Sequence, residues 1–269
     1  MIVIRNCEGF DELEACVEMQ VVTWGFDQTD IIPRKAFLVM KKVGGQLIGA
    51  FDTGLSGSPP DGNADSLIGF AMSLPGVKAA KNSPGGGPYP YLHSHMLAVR
   101  EGYRNRGIGA QLKLAQRRDA LDRGIRLMEW TFDPLEIKNA FLNIHKLGAI
   151  VSTYRPDFYG VSSSRLQGGL PTDRLLAEWY LDSARVRSHV EGSPHRVPVI
   201  QERITVPSSI YQWKSSDQDR HLALAVQTEN RHRFQEAFSR GLAVLGFERD
   251  AKGNGVYELG TLAQPEAGI

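Results

Sequence analysis

The sequence predicts a mixed α/β (α+β) fold, with one central sheet flanked by helices and a C-terminal extension of strands and a helix. Three observations carry that expectation. Apolar residues in the first half of the chain alternate between strand and helix spacing in the order β-α-α-β-β-β-α-β-α. The run LHSHMLAVREGYRNRGIGAQL, Leu92 to Leu112, reads as a strand, a glycine- and arginine-rich turn and an amphipathic helix. The chain has 269 residues, 42% of them hydrophobic, enough to bury a full core without disulfides or metals.

Ile2 to Ile4 read as a short strand, and Phe10 to Trp24 as a helix, with Phe10, Leu13, Val17 and Val21 at helical spacing. Pro33 suits the first turn of a second helix through Lys42, which Gly44-Gly45 stops. Gln46 to Phe51 and Ser66 to Ser73 follow as strands, separated by the polar loop GLSGSPPDGNADS. After a second punctuated run, KNSPGGGPYP, come a strand at Tyr91 to Val99 and a helix at Gly107 to Arg123 that Gly124 ends. Arg126 to Phe132 reads as a strand and Glu136 to Leu147 as a helix. Farther on, Leu175 to Leu181, Val199 to Val206, Ala243 to Glu248 and Val256 to Leu259 read as strands, and Asp217 to Arg240 as a long polar helix. The periodic signal weakens beyond about Gly160, and a soft boundary near Ser162–Gln167 separates a domain over residues 1–165 from an extension over 166–269, with a frayed end at GTLAQPEAGI.

Charge and cysteine content narrow the class. A formal charge of +1 points to neither a nucleic-acid nor a membrane partner. Cys7 and Cys16 are the only cysteines, too far apart for a CxxC motif, and read as reduced, partly buried thiols. No signal peptide or membrane span is expected, so the expected location is cytoplasmic.

The turn before the second long helix has the design of a phosphate cradle. Glycines let backbone N–H groups approach a ligand closely, and a helix N-terminus carries unpaired donors and partial positive charge. Gly107 and Gly109 stand there, with Arg104 and Arg106 adding charge. A Walker loop is denied by Ala110-Gln111, and a dinucleotide fingerprint by Leu112 where its third glycine belongs.

The stretch resembles the GNAT superfamily of acyl-CoA-dependent N-acyltransferases. Their Arg/Gln-x-x-Gly-x-Gly/Ala motif is matched by Arg104-Asn-Arg-Gly107-Ile-Gly109, their cofactor strand by Leu97-Ala98-Val99, and their second cofactor helix by NAFLNIHKLGA. The resemblance covers roughly residues 1–155 and implies acetyl-CoA or another acyl-CoA as co-substrate. By it, the backbone of Asn105, Arg106, Gly107, Ile108, Gly109 and Ala110 holds the pyrophosphate. Leu97 and Val99 hold the pantetheine and acyl carbonyl, and Asn139 or Asn143 contacts the pantetheine from the next helix. The superfamily's tyrosine that protonates the leaving thiolate is replaced by Ile144, with Tyr154 or Tyr159 as substitutes.

N-acylation needs a neutral amine, and imidazole is the side chain that ordinarily titrates near neutrality. Strand alternation places His93, His95, Leu97 and Val99 on one face. His-x-His-x-Leu-Ala-Val is also similar to arylalkylamine N-acetyltransferases, which implies that His93 and His95 relay the amine proton. A His-x-His pair can chelate zinc instead, given a third ligand from His145, His189, His195, His221 or His232; no metal is expected. Arg174, in GLPTDRLLAEWYL, is a candidate partner for a substrate carboxylate. The expected activity is transfer of an acetyl or succinyl group to a primary amine of a small molecule such as an amino acid or arylalkylamine, with a homodimer allowed. The rival readings are a non-catalytic CoA-binding sensor and a metal-dependent hydrolase using the His pair.

Overall fold

In the computed structural model, which describes residues 1–55, 57–79, 87–193 and 198–262, the chain divides into two compact units. The first comprises Met1–Met128 with Ser163–Arg165, the second Glu129–Ser162 with the chain from Leu166 onward. Part of KNSPGGGPYP, His195 and most of GTLAQPEAGI lie outside the described residues.

The first unit contains β1 (Ile2–Asn6), α1 (Gly9–Trp24), α2 (Arg34–Lys42), β2 (Gln46–Asp52), β3 (Leu67–Lys78), β4 (Tyr89–Val99) and α3 (Ile108–Asp122). Its strands run in the order β1-β2-β3-β4, each antiparallel to the next. Helical spacing puts Leu13 and Met19 of α1 and Phe37 and Met40 of α2 over one sheet face, against Leu47, Phe51, Phe70, Met72, Met96 and Ala98. Ile108 and Leu112 of α3 cover the other face, against Ile48, Ala50, Ile68, Ala71, Leu97 and Val99. Cys7 and Cys16 are fully buried in the first of these cores rather than partly, their sulfurs 3.8 Å apart. Burial and the neighbouring thiol, chiefly the latter, push the Cys16 thiol up, so it is inert at neutral pH.

The second unit holds β5 (Leu127–Phe132), whose first two residues belong to the first unit, then α4 (Ile137–Ala140), β6 (Ile150–Arg155), β7 (Arg174–Tyr180), α5 (Ala184–Glu191), β8 (Ile200–Val206), α6 (Ile210–Ser215), α7 (Arg220–Ser239), β9 (Leu242–Arg249) and β10 (Gly255–Thr261). Strand order is β5-β7-β6-β9-β10-β8. The helix expected over Glu136 to Leu147 changes type midway: α4 continues as a π-helix, Phe141–Lys146, in which Leu147 N–H reaches the Leu142 carbonyl at 3.0 Å. The core stacks Tyr154, Phe234, Tyr257 and Phe247, with successive ring centroids 5.7, 5.1 and 4.8 Å apart. Beside it Asp173, fully buried, takes both Arg231 Nε and Nη2 at 2.9 Å, the Tyr154 hydroxyl at 2.6 Å and the Asp157 N–H at 2.9 Å.

Candidate active site

The N-terminus of α3 has the expected open donors. Gly107 caps it in the left-handed region, at φ +80°, and the first bond closing the helix runs from Gln111 N–H to the Gly107 carbonyl at 3.0 Å. The N–H groups of Ile108, Gly109 and Ala110 therefore stand outside the helical ladder. Asn105 also adopts positive φ, at 62°, which turns the chain so that consecutive amides form a concave donor surface. Arg106 lies over the Tyr103 ring, 5.4 Å from its centroid, and Arg104 donates from Nε to the Val99 carbonyl at 3.1 Å. Ile108 and Ala98 turn their side chains into the core, so only their backbone faces a ligand. These groups suit a pyrophosphate ester.

The histidine pair sits where β4 departs from regular pairing. Met72 opposes Met96, but Ser73 opposes Ser94, so His95 is the extra residue of a β-bulge. This corrects the expectation of one shared face. Met96 and Ala98 pack under α1 and α2, whereas Leu97 and Val99 pack under α3. Ser94, on the far side of the bulge, also reaches α3. His93, which alternates with Ser94 and opposes Leu74, is thus on the face opposite Leu97 and Val99. The two imidazole centroids are 6.0 Å apart. Desolvation first, then the charges of His95 and Lys113, lowers His93 from 6.5 to about 4. His95 is exposed by surface area although protein atoms crowd it, and that desolvation lowers it as well. His93 is thus held well below the ordinary imidazole range, and burial pushes His95 the same way, toward the neutral ring.

Other expected residues have separate fates. Tyr154 is committed to Asp173, and burial pushes its hydroxyl pKa far up. Tyr159 shares a hydrogen bond with Thr131 at 2.8 Å. Ile144 is fully buried, Asn139 is exposed on α4, and Asn143 is buried in the π-helical turn. His189 and His221 contact the carbonyls of Arg185 and Gln218, and His145 stacks on Phe141. Among the described residues no three His, Cys, Asp or Glu side chains gather as a metal-binding group.

Residues 22–143 match the sequence model of the acetyltransferase (GNAT) family. That segment, under half of the chain, is similar to a GNAT acetyltransferase domain. Enzymes of this family are acyl-CoA-dependent N-acyltransferases. Among solved structures the chain is similar to Arabidopsis thaliana NAA60 in complex with acetyl-CoA, at 19% identity and TM-score 0.52. It is similar also to the same protein with a bisubstrate analogue, at 18% identity and TM-score 0.50. Each match covers 67% of this chain and 98% of the other, and at such identity each speaks for the fold alone. No curated protein sequence matches the chain.

Two buried residues beside the histidine pair escaped the sequence reading: Ser94, between the histidines, and Lys113 on α3. The signal was present, since Lys113 and Gln116 lie on the inward stripe with Ile108, Leu112 and Ala120. A lysine and a glutamine at buried helix positions require polar partners.

Proposed function

We propose that the chain transfers an acetyl or succinyl group from its acyl-CoA to the primary amine of a small molecule, an amino acid or arylalkylamine, with His93 and His95 handling the amine proton. The observation that carries this is the histidine pair at the β4 bulge, rings 6.0 Å apart, on the strand that leads through Leu97–Val99 into the open N-terminus of α3. Backbone groups of Leu97 and Val99 hold the pantetheine and the acyl carbonyl.

The amine nitrogen attacks the thioester carbonyl, a C–N bond forms, and the C–S bond breaks as the electrons return to the carbonyl. A backbone N–H near Val99 holds the transient oxyanion. His93 at about 4 is too weak a base to strip a resting ammonium near ~10. It accepts the proton after attack, when the nitrogen of the adduct has become strongly acidic, and exposed His95 passes it to solvent. The CoA thiolate, the conjugate base of a thiol near ~8.5, leaves without a protein acid.

Within the second unit, Arg174 is a candidate partner for a carboxylate. Arg231, Arg203, Arg187 and Arg220 each meet a carboxylate. Arg174 instead donates to the Gln167 side-chain oxygen at 3.2 Å and lies over the Tyr159 ring, and its buried Nε has no partner among the described residues. A cytoplasmic location and a homodimer belong to the same reading; among the described residues no helix is long and apolar enough to cross a membrane. The test is release of CoA thiol from acetyl-CoA and succinyl-CoA across a panel of amino acids and arylalkylamines. Amine-dependent release that His93→Ala/His95→Ala reduces at least tenfold supports the reading. Acyl-CoA binding without release for any amine overturns it.

A further inference from the structure

The strand segment that carries the histidines is gripped from beneath by the helix whose N-terminus forms the phosphate cradle. Lys113 of α3 donates from Nζ to Ser94 Oγ at 2.7 Å, and Ser94 Oγ donates to Gln116 Oε1 at 3.1 Å. Ser94, Lys113 and Gln116 are all buried. The network continues across the sheet: Ser73, paired with Ser94, donates to Gln46 Oε1 at 2.8 Å. Gln46 Nε2 in turn donates to the Gln116 carbonyl at 2.9 Å and to Asp119 Oδ2 at 2.7 Å. One chain of hydrogen bonds thus ties β2, β3 and β4 to α3, at the position where β4 gains its extra residue.

Burying a lysine amine, whose pKa burial pushes well down, with two carboxamides and two hydroxyls is costly unless their geometry is fixed, and an apolar core would hold α3 to the sheet as well. What this cluster does and an apolar one would not is set the register of β4. Ser94 can reach Lys113 and Gln116 only if it faces α3, and Leu97 faces α3 too. Both conditions hold only with an odd residue between, and that residue is His95. A strand sliding back into regular alternation would turn Ser94 away from Lys113, take this acceptor from the buried lysine Nζ, and move both imidazoles.

We propose that Ser94, clamped by Lys113 and Gln116, is the positioning residue of the histidine pair: its hydroxyl locks the β4 bulge that sets where His93 and His95 point, and ties that bulge to the acyl-CoA helix. The inference rests on the proposed function only for its catalytic consequence; the positional claim stands by itself.

Two measurements separate these. In nitrogen-detected NMR of the whole chain, Ser94→Ala should shift or broaden the ring signals of His93 and His95. Those of His145, His221 and His232 should stay in place as internal controls of folding. Ser94→Thr, which keeps the hydroxyl, should restore the wild-type ring signals. Unchanged His93 and His95 signals in a folded Ser94→Ala overturn the proposal. If Ser94→Ala disturbs the control histidines too, Lys113→Met is the second variant, with the same expected and overturning patterns. In the kinetic arm, with acetyl-CoA and the best amine of the panel, Ser94→Ala should lower kcat at least tenfold and change the KM for acetyl-CoA less than twofold. In a His93→Ala/His95→Ala background, Ser94→Ala should have no further effect. Equal losses in both backgrounds defeat the positioning role. A histidine double variant with wild-type rate defeats the proposed proton role and leaves the NMR result to judge the clamp.

Discussion

Replacing His93 with glutamine should remove part of the chain's acid sensitivity. The wild-type ring falls from 6.5 to about 4 on folding, through desolvation and then through repulsion by His95 and Lys113. At 1.36 kcal/mol per pH unit the full difference corresponds to roughly 3 kcal/mol, and partial exposure of the ring discounts it to roughly 2 kcal/mol. The direction follows from proton counting. Between 6.5 and about 4 the unfolded chain carries a proton on this histidine that the folded chain refuses. Stability is therefore complete above the unfolded value, drains as pH falls toward the folded value, and levels off below it. Glutamine has no such proton. Urea unfolding followed by tryptophan fluorescence, at about pH 7.5 and about pH 4.5, measures the difference. Wild type and His93→Gln should lie within about 1 kcal/mol of each other at the higher pH. On acidification the wild type should lose roughly 2 kcal/mol more than the variant, with equal m-values. Parallel losses would mean that the ring is solvated like a surface histidine, and the account of a neutral, desolvated proton acceptor would fall with it.

Gly107→Ala meets no steric obstacle, since nothing lies within 4 Å of the new Cβ, but its φ of +80° costs a side chain about 1 kcal/mol. Calorimetric titration with acetyl-CoA should weaken roughly fivefold as the cap relaxes and its amides turn; unchanged affinity would remove Gly107 from the cradle. Gly69→Ala would put a Cβ 2.8 Å from the Ala98 carbonyl, prising β3 from β4 beside Val99, and thermal melting should show a loss of about 2 kcal/mol. Asp173→Asn should cost roughly 3–5 kcal/mol in urea unfolding, because Arg231 and the Tyr154 hydroxyl both lose their anionic acceptor in a buried site. A cost under about 1 kcal/mol would show that the pair is solvated in the folded chain.

The sequence by itself determined the elements and the glycine-arginine turn. Apolar periodicity is local and survives any arrangement of neighbours, so β1, α1, α2, β2, β4, α3 and β5 fall close to where their spacing puts them. Glycine at a left-handed helix cap is equally local, so the Gly107 turn could be read as a cradle before any contact was known. Where neighbours decide, the sequence was silent. Strand β3 runs on to Lys78, past Ser73, because β4 pairs with it as far as Tyr89. Residues 129–162 pack with the later chain because β6 pairs with β7 and touches β9, so the compact units divide earlier than the soft boundary near Ser162. The face of each histidine was decided the same way. Alternation is a rule about one strand, whereas a bulge is a rule about two, set by how Met72 and Ser73 of β3 meet Met96 and Ser94 of β4. That pairing, with Lys113 reaching up from α3, turned His93 away from Leu97 and Val99 and moved its titration out of the neutral range. Spacing lists which chemical groups are available; desolvation and register, which exist only after packing, decide what those groups can do.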